Sequence, residues 1–102
     1  MIVEYIRYTI PESESDAFIA SYTRAQDALR ASSHCHGWEL TRCTEDATHF
    51  ILRIQWDSAE GHLQGFRKSP EFARFFAEIR PYVGRIEEMR HYALTSVVGT
   101  KR

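Results

Sequence analysis

The sequence predicts an α+β domain of the ferredoxin-like βαββαβ type, a four-stranded antiparallel sheet with its helices on one face. Three observations lead there. Apolar residues recur at helical spacing in two places, Phe18-Tyr22-Ala25-Leu29 and Phe72-Phe76-Ile79. Four other stretches carry the β-branched and aromatic residues of strands. The two kinds of segment alternate as strand, helix, strand, strand, helix, strand, an order that one compact sheet accommodates as a split βαβ unit. At 102 residues there is room for one core only, expected over residues 1–94, with 95–102 as a tail.

Ile2 to Ile10 reads as the first strand and Pro11 closes it. Ser13 then offers an N-cap, and Glu14 and Asp16 suit the positive end of the helix that follows. His34 to Thr44 is extended, with Gly37 as a bulge position. After the polar turn Glu45-Asp46-Ala47, the stretch His49 to Asp57 alternates cleanly. Phe50, Leu52, Ile54 and Trp56 share one face; Ile51, Arg53, Gln55 and Asp57 share the other. Ser58 to Lys68 reads as a helical turn or two weakened by Gly61 and Gly65. Ser69-Pro70 restarts a helix with a cap and a proline at its first position. Ile86 to Leu94 is the last strand.

Composition narrows the function. Thirteen Lys+Arg against 14 Asp+Glu leave a formal net charge of -1, which excludes a globally basic nucleic-acid binder or a polybasic membrane-surface protein. No apolar run is long enough to span a bilayer. The start Met1-Ile2-Val3-Glu4 lacks the pattern of a signal peptide, so the cytoplasm is the expected location. Cys35 and Cys43, eight residues apart on one extended segment, are expected to be reduced thiols. Gly-rich phosphate loops, Cys-x-x-Cys pairs and nucleophile elbows are absent, which argues against the usual nucleotide, zinc and hydrolase chemistries. Aromatic residues at 13% can fill a small core or line a pocket for a flat organic ligand.

Two helices cannot cover both faces of the sheet. Strand one is apolar on both sides, with Ile2, Ile6 and Tyr8 opposed to Val3 and Tyr5. A second copy of the chain would cover the bare face, so a homodimer is expected. Arg7, Arg53 and Arg90 are expected mostly to pair with Glu4, Glu39, Glu87 and Glu88 across that dimer, although such arginines could also hold an anionic oxygen.

The stretches Phe50-Ile51-Leu52-Arg53-Ile54-Gln55-Trp56-Asp57-Ser58 and Phe66-Arg67-Lys68-Ser69-Pro70-Glu71-Phe72 resemble the antibiotic biosynthesis monooxygenase family. That resemblance implies a dimeric α+β barrel. It also implies an activity drawn from cofactor-independent quinol-type monooxygenases, haem-degrading monooxygenases, autoinducer-processing enzymes or members with no known reaction. Many members carry a His three residues before the Ser of the Ser-Pro step; here that position is Phe66. The spacing from Trp56 to Ser69 is also one residue longer than the usual pattern, so the family's His is not carried over by position.

His62, one helical turn before Phe66, is the nearest imidazole and the first candidate for proton transfer, since a neutral imidazole offers a lone pair near neutral pH. His91, on the Met89 and Ala93 side of the last strand, is the second. Trp56, Phe66, Phe72 and Phe76 are the candidate substrate-binding residues, against the alternative that they only fill the core. His34-Cys35-His36 is a weak metal motif with no third ligand near in sequence, and no metal is expected. The leading expectation is a cofactor-free monooxygenase acting on a small aromatic, quinol-like or enolisable molecule. The alternatives are a haem-binding or haem-degrading enzyme and a non-catalytic dimeric binding or stress-response module. An inward His62 beside an open cavity favours an enzyme; a pocket filled by Phe66, Phe72 and Phe76 favours the module.

Overall fold

The computed structural model describes residues 1–101 and shows the expected α+β architecture. Strands β1 (Ile2–Thr9), β2 (Cys35–Arg42), β3 (His49–Trp56) and β4 (Ile86–Ala93) form one antiparallel sheet in the order β2-β3-β1-β4. Helices α1 (Ser15–Ala31) and α2 (Pro70–Ile79) pack on one face of it. Among the described residues no helix is long and apolar enough to cross a membrane.

The β3 alternation holds: Phe50, Leu52, Ile54 and Trp56 are buried, while Ile51 lies 38% exposed on the open face. The α1 stripe Phe18, Tyr22, Ala25 and Leu29 is buried as well. Two details of the reading change. Ser13 does not cap α1, because a 3₁₀ turn over Glu12–Glu14 precedes the helix and Ser15 Oγ bonds the Glu12 carbonyl at 2.8 Å. On α2 the most buried positions are Phe75 and Ile79, and Phe72 and Phe76 are only partly covered. Ser69 does cap α2, its hydroxyl accepting from the Phe72 N–H, with Pro70 at the first position.

One polar contact joins sheet to helix inside this core. The hydroxyls of Tyr8 and Tyr22 lie 2.5 Å apart, and burial pushes the Tyr8 phenol up to about 12. The pair thus stays neutral, each hydroxyl satisfying the other in place of lost water.

The β2–β3 register slips between Cys35 and Gly37, the bulge expected at Gly37. Both cysteines are free. On the open face Arg53 pairs with Glu39 at 3.5 Å and Arg90 with Glu88 at 3.1 Å, both within the chain. Glu4 does not belong to this surface set. It faces the helices from an interior strand and is 1% exposed.

After β3 the chain forms a π-helical turn over Gly61–Gly65, then a 3₁₀ turn over Phe66–Lys68. A π turn closes its hydrogen bonds one residue later than an α turn, so it accommodates one residue more between Trp56 and Ser69 than an α turn would. The glycines let this turn approach His34. A Cβ on Gly61 would lie 1.9 Å from Asp57 Oδ1, and one on Gly65 would lie 2.3 Å from His34 Nε2. His34 Nδ1 in turn meets Asp57 Oδ2 at 2.9 Å. Gly61 and Gly65 therefore serve close packing.

Gly65→Ala should cost about 1–3 kcal/mol in urea unfolding by displacing the His34 ring. The same change in a His34→Ala background should be nearly free. Gly84→Ala, with nothing within 4 Å of its new Cβ, should be neutral or stabilising.

Candidate functional site

The sheet register builds the site. Glu4 on β1 stands directly opposite His91 on β4 and Ile54 on β3, all on the helix-covered face. Trp56 lies one diagonal step away and is fully buried. Its indole N–H donates to Glu4 Oε1 at 3.0 Å, the partner a buried indole requires. His62, brought back over the strand end by the π turn, stacks on the Trp56 ring at 4.4 Å between centroids and 13° between planes. It is 3% exposed.

The two imidazoles meet. His62 Nδ1 and His91 Nε2 are 2.7 Å apart, so one ring donates and the other accepts. His62 Nε2 lies 3.5 Å from Glu4 Oε1, and His91 Nε2 lies 3.9 Å from Glu4 Oε2. Both separations are longer than a good hydrogen bond. Among the described residues Glu4 Oε2 is left buried with no hydrogen-bond partner. The cluster runs from the core toward solvent, since the His91 side chain is 30% exposed.

Burial sets the protonation states. It pushes Glu4 up, opposed by the Trp56 hydrogen bond and the positive Arg67. It holds His62 down to about 4, reinforced by His91 and Arg67. His91 is lowered by its own partial burial and then by Arg67. The shifts of Glu4 and His62 both oppose a charged carboxylate–imidazolium pair, so His62 is neutral at neutral pH and keeps one unprotonated ring nitrogen.

A cavity of about 180 Å³ opens beside this cluster. Glu4, Trp56 and His62 form one wall, and Phe66, Phe72 and Phe76 form much of the other. Phe66 is packed between Trp56 at 4.9 Å and Phe75 at 5.7 Å, a core residue that also borders the opening. A larger hollow of about 610 Å³ lies at one end of the sheet, bordered by Arg7, Thr41, Cys43 and Glu87 and lacking both imidazoles.

All six residues singled out in the sequence thus border the cavity or the imidazole contact. Glu4 and Arg67 were missed. His34 turns to Asp57, Cys35 is half-buried and His36 is exposed, so the His-Cys-His motif is spent on packing and surface.

The family profile described as antibiotic biosynthesis monooxygenase matches residues 1–78. The chain belongs to the antibiotic biosynthesis monooxygenase family. Solved structures of similar fold include a candidate antibiotic biosynthesis monooxygenase from Bordetella bronchiseptica, with TM-score 0.74 and 21% identity over 92% of this chain and 96% of that one. Another, from Chloroflexus aurantiacus, has TM-score 0.75 and 17% identity over 96% of each chain. The uncharacterized protein YczJ of Bacillus subtilis strain 168 is 22% identical over 92 residues, 90% of this chain and 97% of its own. The family match covers Glu4, Trp56 and His62 and ends before β4. The cluster therefore joins three residues inside the matched stretch to His91, which follows it on β4.

The folded His62 near 4, against an ordinary 6.5, makes the unfolded chain bind more protons in between. The stability this contributes is complete above about pH 6.5 and is lost as pH falls toward 4. In urea melts, lowering the pH across this range should therefore cost wild type more stability than it costs His62→Gln, which has no imidazole to protonate.

Proposed function

We propose that the protein is a cofactor-independent monooxygenase that works as a homodimer on a single-ring phenol, quinol or enolisable molecule. The observation that carries this is the 2.7 Å contact between His91 and His62, the latter on the wall of an apolar cavity. A cavity of roughly 150 Å³ accepts benzene in another protein, so about 180 Å³ suits one substituted ring.

The chemistry asks little of the protein. A neutral His62 takes a proton from the substrate's acidic O–H or C–H, and His91 passes it toward solvent. The resulting anion is electron-rich enough to reduce dioxygen directly. A new C–O bond forms, and the protonated peroxide loses water to leave a carbonyl; dioxygen is the oxidant and water carries away its second oxygen. Stacking on Trp56 holds the imidazole plane, and the phenylalanines exclude bulk water from the anion. Arg67, on the cavity rim, supplies positive charge near the developing oxyanion.

The haem alternative finds less support, because a porphyrin needs far more room than a single-ring cavity provides. The non-catalytic alternative also loses ground: His62 points inward, and the aromatic side chains leave the cavity open. The dimer is supported by the open sheet face, where Tyr5 and Tyr92 stack edge-on and Ile51 and Tyr92 stay exposed beside charged neighbours.

Oxygen uptake with a panel of single-ring quinols, in the presence of a chelator, tests the reaction. Wild type should consume dioxygen, and His62→Gln should lower kcat by about 10²–10⁴-fold; an unchanged rate in that variant removes the imidazole from the mechanism. Light scattering should report about 24 kDa, twice the 11.9 kDa chain. A monomer at micromolar concentration contradicts the assembly.

A further inference from the structure

The imidazole–carboxylate cluster has a second capability that proton transfer does not use. We propose that Glu4, His62 and His91 form a binding site for one divalent transition-metal ion, of the zinc or ferrous class.

Each of the three residues offers one ligand atom, and these atoms all lie within 4.8 Å of one another. Two imidazole nitrogens and one carboxylate oxygen are a donor set suited to first-row divalent ions, and three ligands on one side leave positions open on the other. The second observation is independent of that grouping. Among the described residues Glu4 Oε2 has no hydrogen-bond partner, while Glu4 is 1% exposed and its Oε1 is already bonded to Trp56. A buried oxygen left in this state needs a donor or a cation. Among the described residues the ion-pair partners within reach of Glu4 are the two imidazoles themselves. Arg67 acts on the cluster through its charge only, at longer range.

The supports differ in stiffness in a way that suits ion entry. Glu4 is fixed by an interior strand and its bond to Trp56. His62 is clamped against the Trp56 ring. His91 stands on an edge strand with its side chain 30% exposed. Ligand nitrogens around a tetrahedral ion stand about 3.4 Å apart, so the 2.7 Å imidazole contact has to open, and His91 is the ring free to move. Glu4 and His62 also line the aromatic cavity, so a phenol or enol oxygen held there can complete the sphere.

This goes beyond the cofactor-free reading. An ion seated in the cluster takes the imidazole lone pairs, so the proton transfer described above belongs to the ion-free protein, and the bound ion blocks it. Ion binding is measured without any substrate, which keeps the two proposals separable.

The test is titration of the chelator-stripped chain with cobalt(II), followed by visible absorption, and with zinc(II), followed by calorimetry. One ion per chain should bind, with the d–d bands of nitrogen and oxygen ligation. Glu4→Gln and His91→Gln should each weaken binding by about 100-fold, the upper end of what losing even an outer partner costs. His36→Ala, which removes an exposed histidine outside the cluster, should leave it unchanged. Circular dichroism checks folding; should Glu4→Gln fail to fold, the partly exposed His91 is probed by both His91→Gln and His91→Ala. No saturable binding, or binding that survives the His91 variants or vanishes with His36→Ala, overturns the site.

Discussion

A carboxylate on an interior strand, beneath two helices, is expensive to keep away from water, and Glu4 occupies such a place. What makes it tolerable is directional. One oxygen accepts the Trp56 indole N–H, and the same face brings two imidazoles within reach of the carboxyl group. Replacing any one of these groups leaves another stranded in low dielectric, so the four behave as a unit. The Trp56 ring is held flat by its bond to Glu4, and the flat ring in turn sets the plane of His62.

The approach of His62 depends on a second constraint, the geometry of the chain leaving β3. The π turn over Gly61–Gly65 spends one residue more per turn than an α-helix does. Its glycines permit contact with the His34–Asp57 pair that braces the turn from outside. Phe66 then occupies the position where family members often carry an imidazole, and it closes the core against Trp56 and Phe75. The imidazole of this chain enters from one turn earlier and meets its partner from β4. Site and core are thus built from the same aromatic residues, with the cavity left where Phe72 and Phe76 are only half-covered.

Much of this was legible from alternation. The β3 face ending in Trp56 and the placing of His91 beside Met89 follow from a period of two. The inward turn of His62 was weighed from its spacing to Phe66. For Glu4 residue type and parity disagree: a carboxylate belongs at the surface, but Ile2, Glu4, Ile6 and Tyr8 share one side, and that alone puts it inside. No comparable signal marked the β1–β4 register that sets Glu4 opposite His91, since pairing between strands so far apart in sequence is decided by tertiary packing. The i, i+4 spacing of Phe72 and Phe76 looked like the stripe, but the helix rolls so that Phe75 and Ile79 sit deepest.

A double-mutant cycle between Glu4→Leu and Trp56→Phe tests most directly whether the buried carboxylate organises this region. Trp56→Phe alone strands Glu4, and Glu4→Leu alone strands the indole N–H. The double variant strands neither. Equilibrium unfolding should therefore show the pair coupled by about 1–3 kcal/mol, with Trp56→Phe costing far less in the Glu4→Leu background. Strictly additive effects, with the two changes costing the same together as apart, would contradict the account.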